Sequence, residues 1–373
     1  MTGTASPPMP ATLVRAVVLA LLTVALLAGC AGYYLQAAAG QAAVMRAREP
    51  LEKVLADPAT PAALRQQLLV VDSALVFARV ELGLPASASY RHYVDLKRPY
   101  VVWNVFAAPE FSLEPHEWCY PVAGCTTYQG WFSESRARES AAAQAARGDD
   151  VFVGGVSAYS TLGWFDDPVL NTMLGDDESA LAGLLFHELA HQRIYVPGDT
   201  LFNEGFATLV EEEGTRRWLA ARNDLAGLCH FHRRQARRAA ALGILGDLRE
   251  TLAVVYAADA PVDERRRQRS AAFDAARAAY EGLRAGWDSP PWFDGWFAPG
   301  LNNARLAALS SYEERVPAFA ALLAREGGDL ARFYSGVEAL GALDAEERER
   351  TLEELGRGRA AAVSAVPAGG SCP

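Results

Sequence analysis

His187 and His191 stand four residues apart with Glu188 directly after the first, in an otherwise apolar stretch, LLFHELAHQRIYVPGDTLFNEGFATL (184–209). On an α-helix, side chains at i and i+4 lie one above the other on the same face. Both imidazoles therefore point at one spot, and neutral imidazole nitrogen is a zinc ligand. Glu188, one step round the helix, flanks that spot without sharing it. This is where peptidases with the HExxH pattern keep their general base. A catalytic zinc takes three protein ligands and leaves one position for water. A third histidine at the spacing HExxHxxGxxH is ruled out, because that position is Pro197. Glu204, within NEGFA, is the better candidate. The turn IYVPGD would fold the next helix back so that its first turn faces the histidines. The reading is His187, His191 and Glu204 around one Zn2+, with Glu188 as base. Zinc would activate a water, and Glu188 would take its proton during attack on a scissile carbonyl.

These residues need elements to hold them. Asp176 and Asp177 can cap a helix running from about Glu178 through Gln192, and a second helix starts near Thr200. Before them, the β-branched and aromatic run YVVWNVFAAPEF (100–111) reads as a strand, as do CTTYQGWF (125–132) and DVFVGGVSAYSTL (150–162). The stretch ESRARESAAAQAARG between them reads as a short helix. Residues 35–58 and 60–84 carry apolar positions at helical spacing, and from Thr200 to about 285 the chain is strongly helical. An aromatic Pro/Gly segment, WDSPPWFDGWFAPG (287–300), precedes further helix. The expected fold is predominantly helical α+β, with a small mixed sheet next to the HExxH helix. The expected organisation is an N-terminal helical segment (30–95), a core carrying the site (96–215), a helical C-terminal region completing the cleft (216–365) and a tail (366–373).

The chain has 373 residues, half of them hydrophobic, enough for one large or two ordinary domains. The formal net charge of −10 argues against nucleic acid as a partner. The patches RRQARR (233–238) and ERRRQR (264–269) read as solvated helix faces. At the N-terminus, Arg15 is followed by the uncharged AVVLALLTVALLAG (16–29) and then Cys30. Fourteen apolar residues are short for a bilayer helix, which takes about 20. The ending LAGC resembles the lipobox of bacterial lipoproteins, in which residues 1–29 are removed as a signal peptide and Cys30 carries acyl chains. An uncleaved anchor is the rival reading. The lipoprotein reading places the chain in the bacterial cell envelope, tethered to a membrane outside the cytoplasm, where disulfides persist. Alanine after the cysteine favours, by that resemblance, the outer membrane facing the periplasm. Cys119 and Cys125, six residues apart around a turn-like CYPVAGC, could close a small loop. Cys229 and Cys372 are left without assignment. In CHFH (229–232), His230 and His232 sit at i and i+2 and point to opposite sides of a helix, so they do not share a metal easily.

The stretches GCAGYYLQAAAGQ, YVVWNVFAAPEFSLEPHEWCYPVAGC, VSAYSTLGWFDDPVLNTML, HELAHQ, NEGFATLVEEEG and NNARLAALSSY together span most of the chain. On these residues the chain resembles the putative aminopeptidase family of bacterial lipoproteins, within the gluzincin clan of zinc peptidases. The gap from His191 to Glu204 is shorter than in thermolysin-like and alanyl-aminopeptidase-like enzymes. The resemblance implies a zincin-like core, a peptide substrate and aminopeptidase activity. It also implies a tyrosine that donates to the transition state. Tyr312, downstream of the ligands, and Tyr159, in AYSTLG, are the candidates, and Tyr195 is a third by proximity in sequence. The stretch VGGVSAYSTL is placed to pair with substrate backbone. For holding a substrate's ammonium, Glu211, Glu212, Glu213, Asp166 and Asp167 are all eligible. Two other functions stay open: a lipoprotein whose metal is structural and which serves binding or assembly, and an endopeptidase acting on envelope proteins.

Overall fold

The chain from 32 to 46 forms the first helix, α1. Beyond it the elements run in this order: β1 (Glu49–Pro50), α2 (Leu51–Ala56), α3 (Ala62–Val80), β2 (His92–Val94), β3 (Val102–Ala108), β4 (Trp118–Tyr120), β5 (Gly124–Thr126), β6 (Gln129–Trp131), α4 (Glu134–Ala145), β7 (Asp150–Val156), β8 (Val169–Leu170), α5 (Glu178–Arg193), α6 (Thr200–Ala221), α7 (Leu225–Ala257), α8 (Val262–Arg284), α9 (Asp294–Phe297), α10 (Asn303–Glu313), α11 (Val316–Arg325), α12 (Leu330–Gly341) and α13 (Ala345–Val363). The structure, a computed structural model, describes residues 32–86, 88–120, 124–175, 177–287, 293–297, 300–313 and 315–363, with backbone alone at 310–313 and 358–363. Cys30, Asp176 and Cys372 lie outside the described residues. The architecture is predominantly helical α+β. Among the described residues no helix is long and apolar enough to cross a membrane.

The strand candidates form small sheets. β3 is buried along nearly its whole length, as its β-branched and aromatic composition requires, and it is flanked by β6 and β7, both antiparallel. This sheet packs its Trp103 and Val105 on Ala137 and Ala141 of α4. Its Phe106 and Ala108 pack on Ala304 and Ala308 of α10. The strand expected over 150–162 ends at Val156. From Ser157 the chain continues as a loop, in which Asp167 captures Thr161 through the Thr161 N–H and hydroxyl, each at 2.8 Å. A second sheet was not foreseen. β1 lies antiparallel to β2, and β2 lies parallel to β8, with Tyr93 opposite Val169. Parallel pairing between residues over seventy positions apart leaves no local sequence signature. β8 feeds a single 3-10 turn (Asn171–Met173) that leads to α5. Cys119 and Cys125 face each other across β4 and β5 and form the disulfide that their loop suggested.

The Arg-rich patches are more than solvated faces. Arg234 of α7 reaches Asp177 at 2.5 Å and Arg238 reaches Glu212 at 3.0 Å, so α7 is tied to the start of α5 and to α6. Arg266 of α8 pairs with Glu110 at 2.7 Å, and Arg269 pairs with Asp150 at the start of β7. The long α7–α8 hairpin therefore docks on the sheet by charge. Its own interface is apolar, built from Leu245, Leu248, Leu252, Phe273 and Tyr280.

Candidate metal centre

Two helices and the turn between them carry the site. α5 starts at Asp177, whose carboxylate accepts from the Ser179 and Ala180 N–H groups, satisfying donors that a helix start leaves free. α6 starts at Asp199, which accepts from Phe202 N–H at 3.0 Å and also pairs with Arg348 at 2.8 Å. The turn between them is closed by Asn203. Its side chain accepts from Val196 N–H and donates to Val196 C=O, both at 2.8 Å. This clamp folds α6 back along α5. The two helices come close because Gly183 lacks a Cβ: one built there would meet Thr215 Oγ1 at 2.7 Å and Glu211 Cγ at 3.2 Å. Each letter of NEGF thus has a separate cause. Asn203 closes the turn and Glu204 faces the histidines. Gly205 admits Arg315, which a Cβ would meet at 2.7 Å. Phe206 packs into the core against Phe319, Phe333 and Tyr334.

The result is a tight triangle. His187 Nε2 and His191 Nε2 are 3.2 Å apart, Glu204 Oε2 is 3.4 Å from His187 Nε2, and Glu204 Oε1 is 3.8 Å from His191 Nε2. Ligand atoms bound tetrahedrally to one zinc are about 3.3–3.4 Å from one another, given bonds of about 2.0–2.2 Å. The donor set fits a metal ion of that kind. Glu204 Oε2 is buried and makes no hydrogen bond of ordinary geometry, its contact with His187 Nε2 being 3.4 Å, which suits an oxygen aimed at a cation. His187, His191 and Glu204 are thus a group that could hold a metal ion. Glu117, Cys119 and Cys125 also lie close together, but both thiols are consumed in the disulfide.

The groups of the triangle shift one another's titration strongly. Burial lowers the pKa of His187, yet its contacts with the Glu204 and Glu211 carboxylates outweigh this and hold it well above the usual histidine value. His191 falls to about 4, because burial dominates and the His187 charge adds to it against the pull of Glu204. Glu204 stays below the usual carboxylate range: burial opposes this, but its close contact with His187 and the pull of both imidazoles prevail. Glu188, only 6 % exposed, is pushed up to about 7 by burial, with the His187 charge pulling the other way.

Glu211 is the functional residue that the sequence reading did not isolate. Its Oε2 accepts from His187 Nδ1–H at 3.1 Å, which leaves Nε2 as the ring atom facing the centre. A signal existed: Glu211 follows Glu204 by seven residues, two helical turns, so it returns to the same face of α6. Its neighbours are engaged elsewhere, Glu212 with Arg238 and Glu213 with Arg216 and Arg217. Of the tyrosines, Tyr195 lies in the turn between α5 and α6, and burial, with a smaller contribution from the Glu204 charge, raises its pKa. Tyr159 packs edge-on against Phe132 at 5.7 Å and takes its charge environment from Asp167 and Arg98. Tyr312 lies in the last turn of α10, and its side chain is outside the described residues. His230 is 3.9 Å from Asp177, and among the described residues CHFH joins no group that could hold a metal ion.

The sequence pattern of the family described as Putative aminopeptidase matches residues 32–352. The chain therefore belongs to that family. No curated protein and no solved structure matches it.

Proposed function

We propose that this chain is a zinc-dependent peptidase, an aminopeptidase by family, with His187, His191 and Glu204 as ligands and Glu188 as general base. The observation that carries the reading is the convergence of three ligand atoms within 4.8 Å of one another, beside a buried glutamate that is not one of them. When bound, zinc supplies a water of lowered pKa and polarises the substrate carbonyl. Glu188, with a pKa near neutrality, suits a group that accepts a proton from that water and returns it to the leaving amine. Glu211 fixes the His187 ring so that its Nε2 faces the metal. Tyr312 and Tyr159 are the candidates for the donor to the developing oxyanion, with Tyr195, in the turn between the two ligand helices, as a third.

A second reading, endopeptidase action, is favoured by the carboxylates themselves. Glu211 serves His187, Glu212 and Glu213 serve arginines, and both oxygens of Asp167 serve Thr161. Of the acids eligible to hold a substrate's ammonium, this leaves the exposed Asp166. Comparing free and N-acetylated peptides separates the two readings. For location, we propose acylation at Cys30 and a periplasm-facing outer-membrane anchor. Loss of membrane partition in Cys30→Ala supports this, and unchanged partition rejects it.

The deciding experiment for the peptidase reading is metal analysis plus peptide hydrolysis on wild type and Glu188→Gln. The variant keeps one zinc per chain and loses turnover by at least about a hundredfold. Equal turnover removes Glu188 from the role of base. A wild type that holds zinc and hydrolyses nothing leaves a structural metal site.

A further inference from the structure

The loop between β7 and β8 holds two aromatic rings in solvent. Trp164 is 85 % exposed, more than any other large hydrophobic side chain among the described residues, and its neighbour Phe165 is 49 % exposed. Hydrogen bonds close this loop on itself. Asp167 takes the Thr161 N–H and hydroxyl at its base. The Thr161 carbonyl takes the Trp164 N–H at 3.0 Å, and the Thr161 hydroxyl takes the Phe165 N–H at 3.2 Å. Leu162 and Gly163 turn the chain with φ of 55° and 79°. A leucine in the left-handed region is strained, and such strain persists only where surrounding contacts over-determine it, often at functional sites. The loop thus keeps an apolar tip in water, where burial would be favoured. Exposed apolar patches mark interaction sites, and tryptophan is among the residues that most often anchor one.

The base of the loop is tied to the ligand helix. The Asp167 carbonyl takes the Tyr90 N–H at 2.5 Å, and the Gln192 side chain donates to Ser89 Oγ, one residue before, at 3.2 Å. Gln192 directly follows the ligand His191 in α5. At the other end of the loop, the Thr172 hydroxyl, in the turn that leads to α5, donates to the Ser157 carbonyl at 2.6 Å.

The geometry points to Trp164 and Phe165 as a substrate subsite: their rings grip a large apolar or aromatic side chain of the peptide, a few residues from the scissile bond, and so set specificity. The proposal deepens the peptidase reading and rests on it. Charge selects the occupant. Two carboxylates, Asp166 and Asp167, and one guanidinium, that of Arg48, whose Nη1 bonds the Asp166 carbonyl at 3.1 Å, flank the rings and leave the tip net acidic on a chain of net charge −10. Anionic bilayer surfaces attract basic segments, so this tip does not suit one. An apolar side chain of a peptide is indifferent to that charge, and a peptide is what the neighbouring centre is read to cleave.

The test uses the zinc-loaded full chain and synthetic peptides that differ only by Phe or Gly at successive positions about the cleaved bond. Wild type favours Phe at one of these positions. Trp164→Ala cuts that preference, the ratio of the two kcat/KM values, about ten- to a hundredfold, chiefly through KM. Trp164→Phe, which keeps an aromatic ring, restores most of it. At 85 % exposure the indole supports little packing, so the variants fold. A preference that survives Trp164→Ala, or a wild type with no preference at any position, overturns the proposal. Titrating the zinc-loaded Glu188→Gln chain with the Phe peptide reads the same contact without turnover. Adding Trp164→Ala to that chain weakens binding about tenfold, and equal binding overturns the proposal. A wild type that cleaves no peptide defeats the peptidase reading alone, and this binding comparison still decides the role of Trp164. If Trp164→Ala keeps the peptide preference and instead strips the unacylated Cys30→Ala chain from phosphatidylethanolamine–phosphatidylglycerol vesicles, the tip is a membrane contact and the proposal falls.

Discussion

Truncation of Glu211 to alanine is expected to weaken zinc binding about tenfold at alkaline pH and by less toward acid. In the native chain the Glu211 carboxylate takes the Nδ1–H of His187 at 3.1 Å. Partners of this kind are worth about 10–100-fold in metal affinity, because they fix the tautomer and strengthen the ligand. The Glu211 side chain is 36 % exposed, so water can reach part of what truncation leaves, which places the loss at the lower end of that range. The pH dependence follows from the same contact. Glu204 and Glu211 hold His187 well above its usual pKa, so the metal-free protein carries a proton that zinc must displace. Zinc affinity of wild type therefore rises with pH until His187 is deprotonated. Removing Glu211 lowers the His187 pKa, which relieves proton competition in acid and partly offsets the weaker ligand there. In alkali no offset exists and the full loss appears. Competition against a fluorescent zinc chelator across this range measures it. Equal affinity of variant and wild type at every pH, or a loss that grows toward acid, refutes the reasoning.

Two further predictions concern the scaffold that sets the triangle. Asn203→Ala removes two hydrogen bonds from the α5–α6 turn and strands Val196 N–H and C=O, so denaturant unfolding should show a loss of about 2–4 kcal/mol together with weaker zinc binding. A variant that melts like wild type shows that the turn does not depend on this clamp. Gly205→Ala drives a methyl against Arg315 and should cost about 1–3 kcal/mol, whereas Gly243→Ala, in the middle of α7 with nothing within 4 Å, should stabilise by roughly 0.5–1 kcal/mol. Thermal melts of the pair check the sign, and a neutral Gly205→Ala means that the α10–α11 turn shifts freely away from α6.

What could be read from the sequence was local. The helix with His187 and His191 announces itself through four-residue spacing and the Asp177 cap, and the return of α6 through the Val196–Asp199 turn. Both signals lie within the segment that forms the element. Asn203 was hidden because an asparagine beside a glutamate reads as part of a ligand motif, while its task is to bond the backbone of Val196. Glu211 was hidden in a run of three glutamates that only helical phase distinguishes. The Ser89–Gln192 and Tyr90–Asp167 bonds were out of reach, since they join positions about a hundred and about eighty residues apart. The arginine patches misled for a related reason. Their charge suggests solvent, but Arg234, Arg238, Arg266 and Arg269 each found a carboxylate on another element.

Anomalous diffraction at the zinc absorption edge, from crystals of the zinc-loaded chain, tests the metal centre most directly. The account predicts one peak bonded to His187 Nε2, His191 Nε2 and a Glu204 oxygen at about 2.0–2.2 Å, with Glu188 close by but not bonded. A peak elsewhere, a Glu204 turned away from both imidazoles, or Glu188 as a ligand would contradict it.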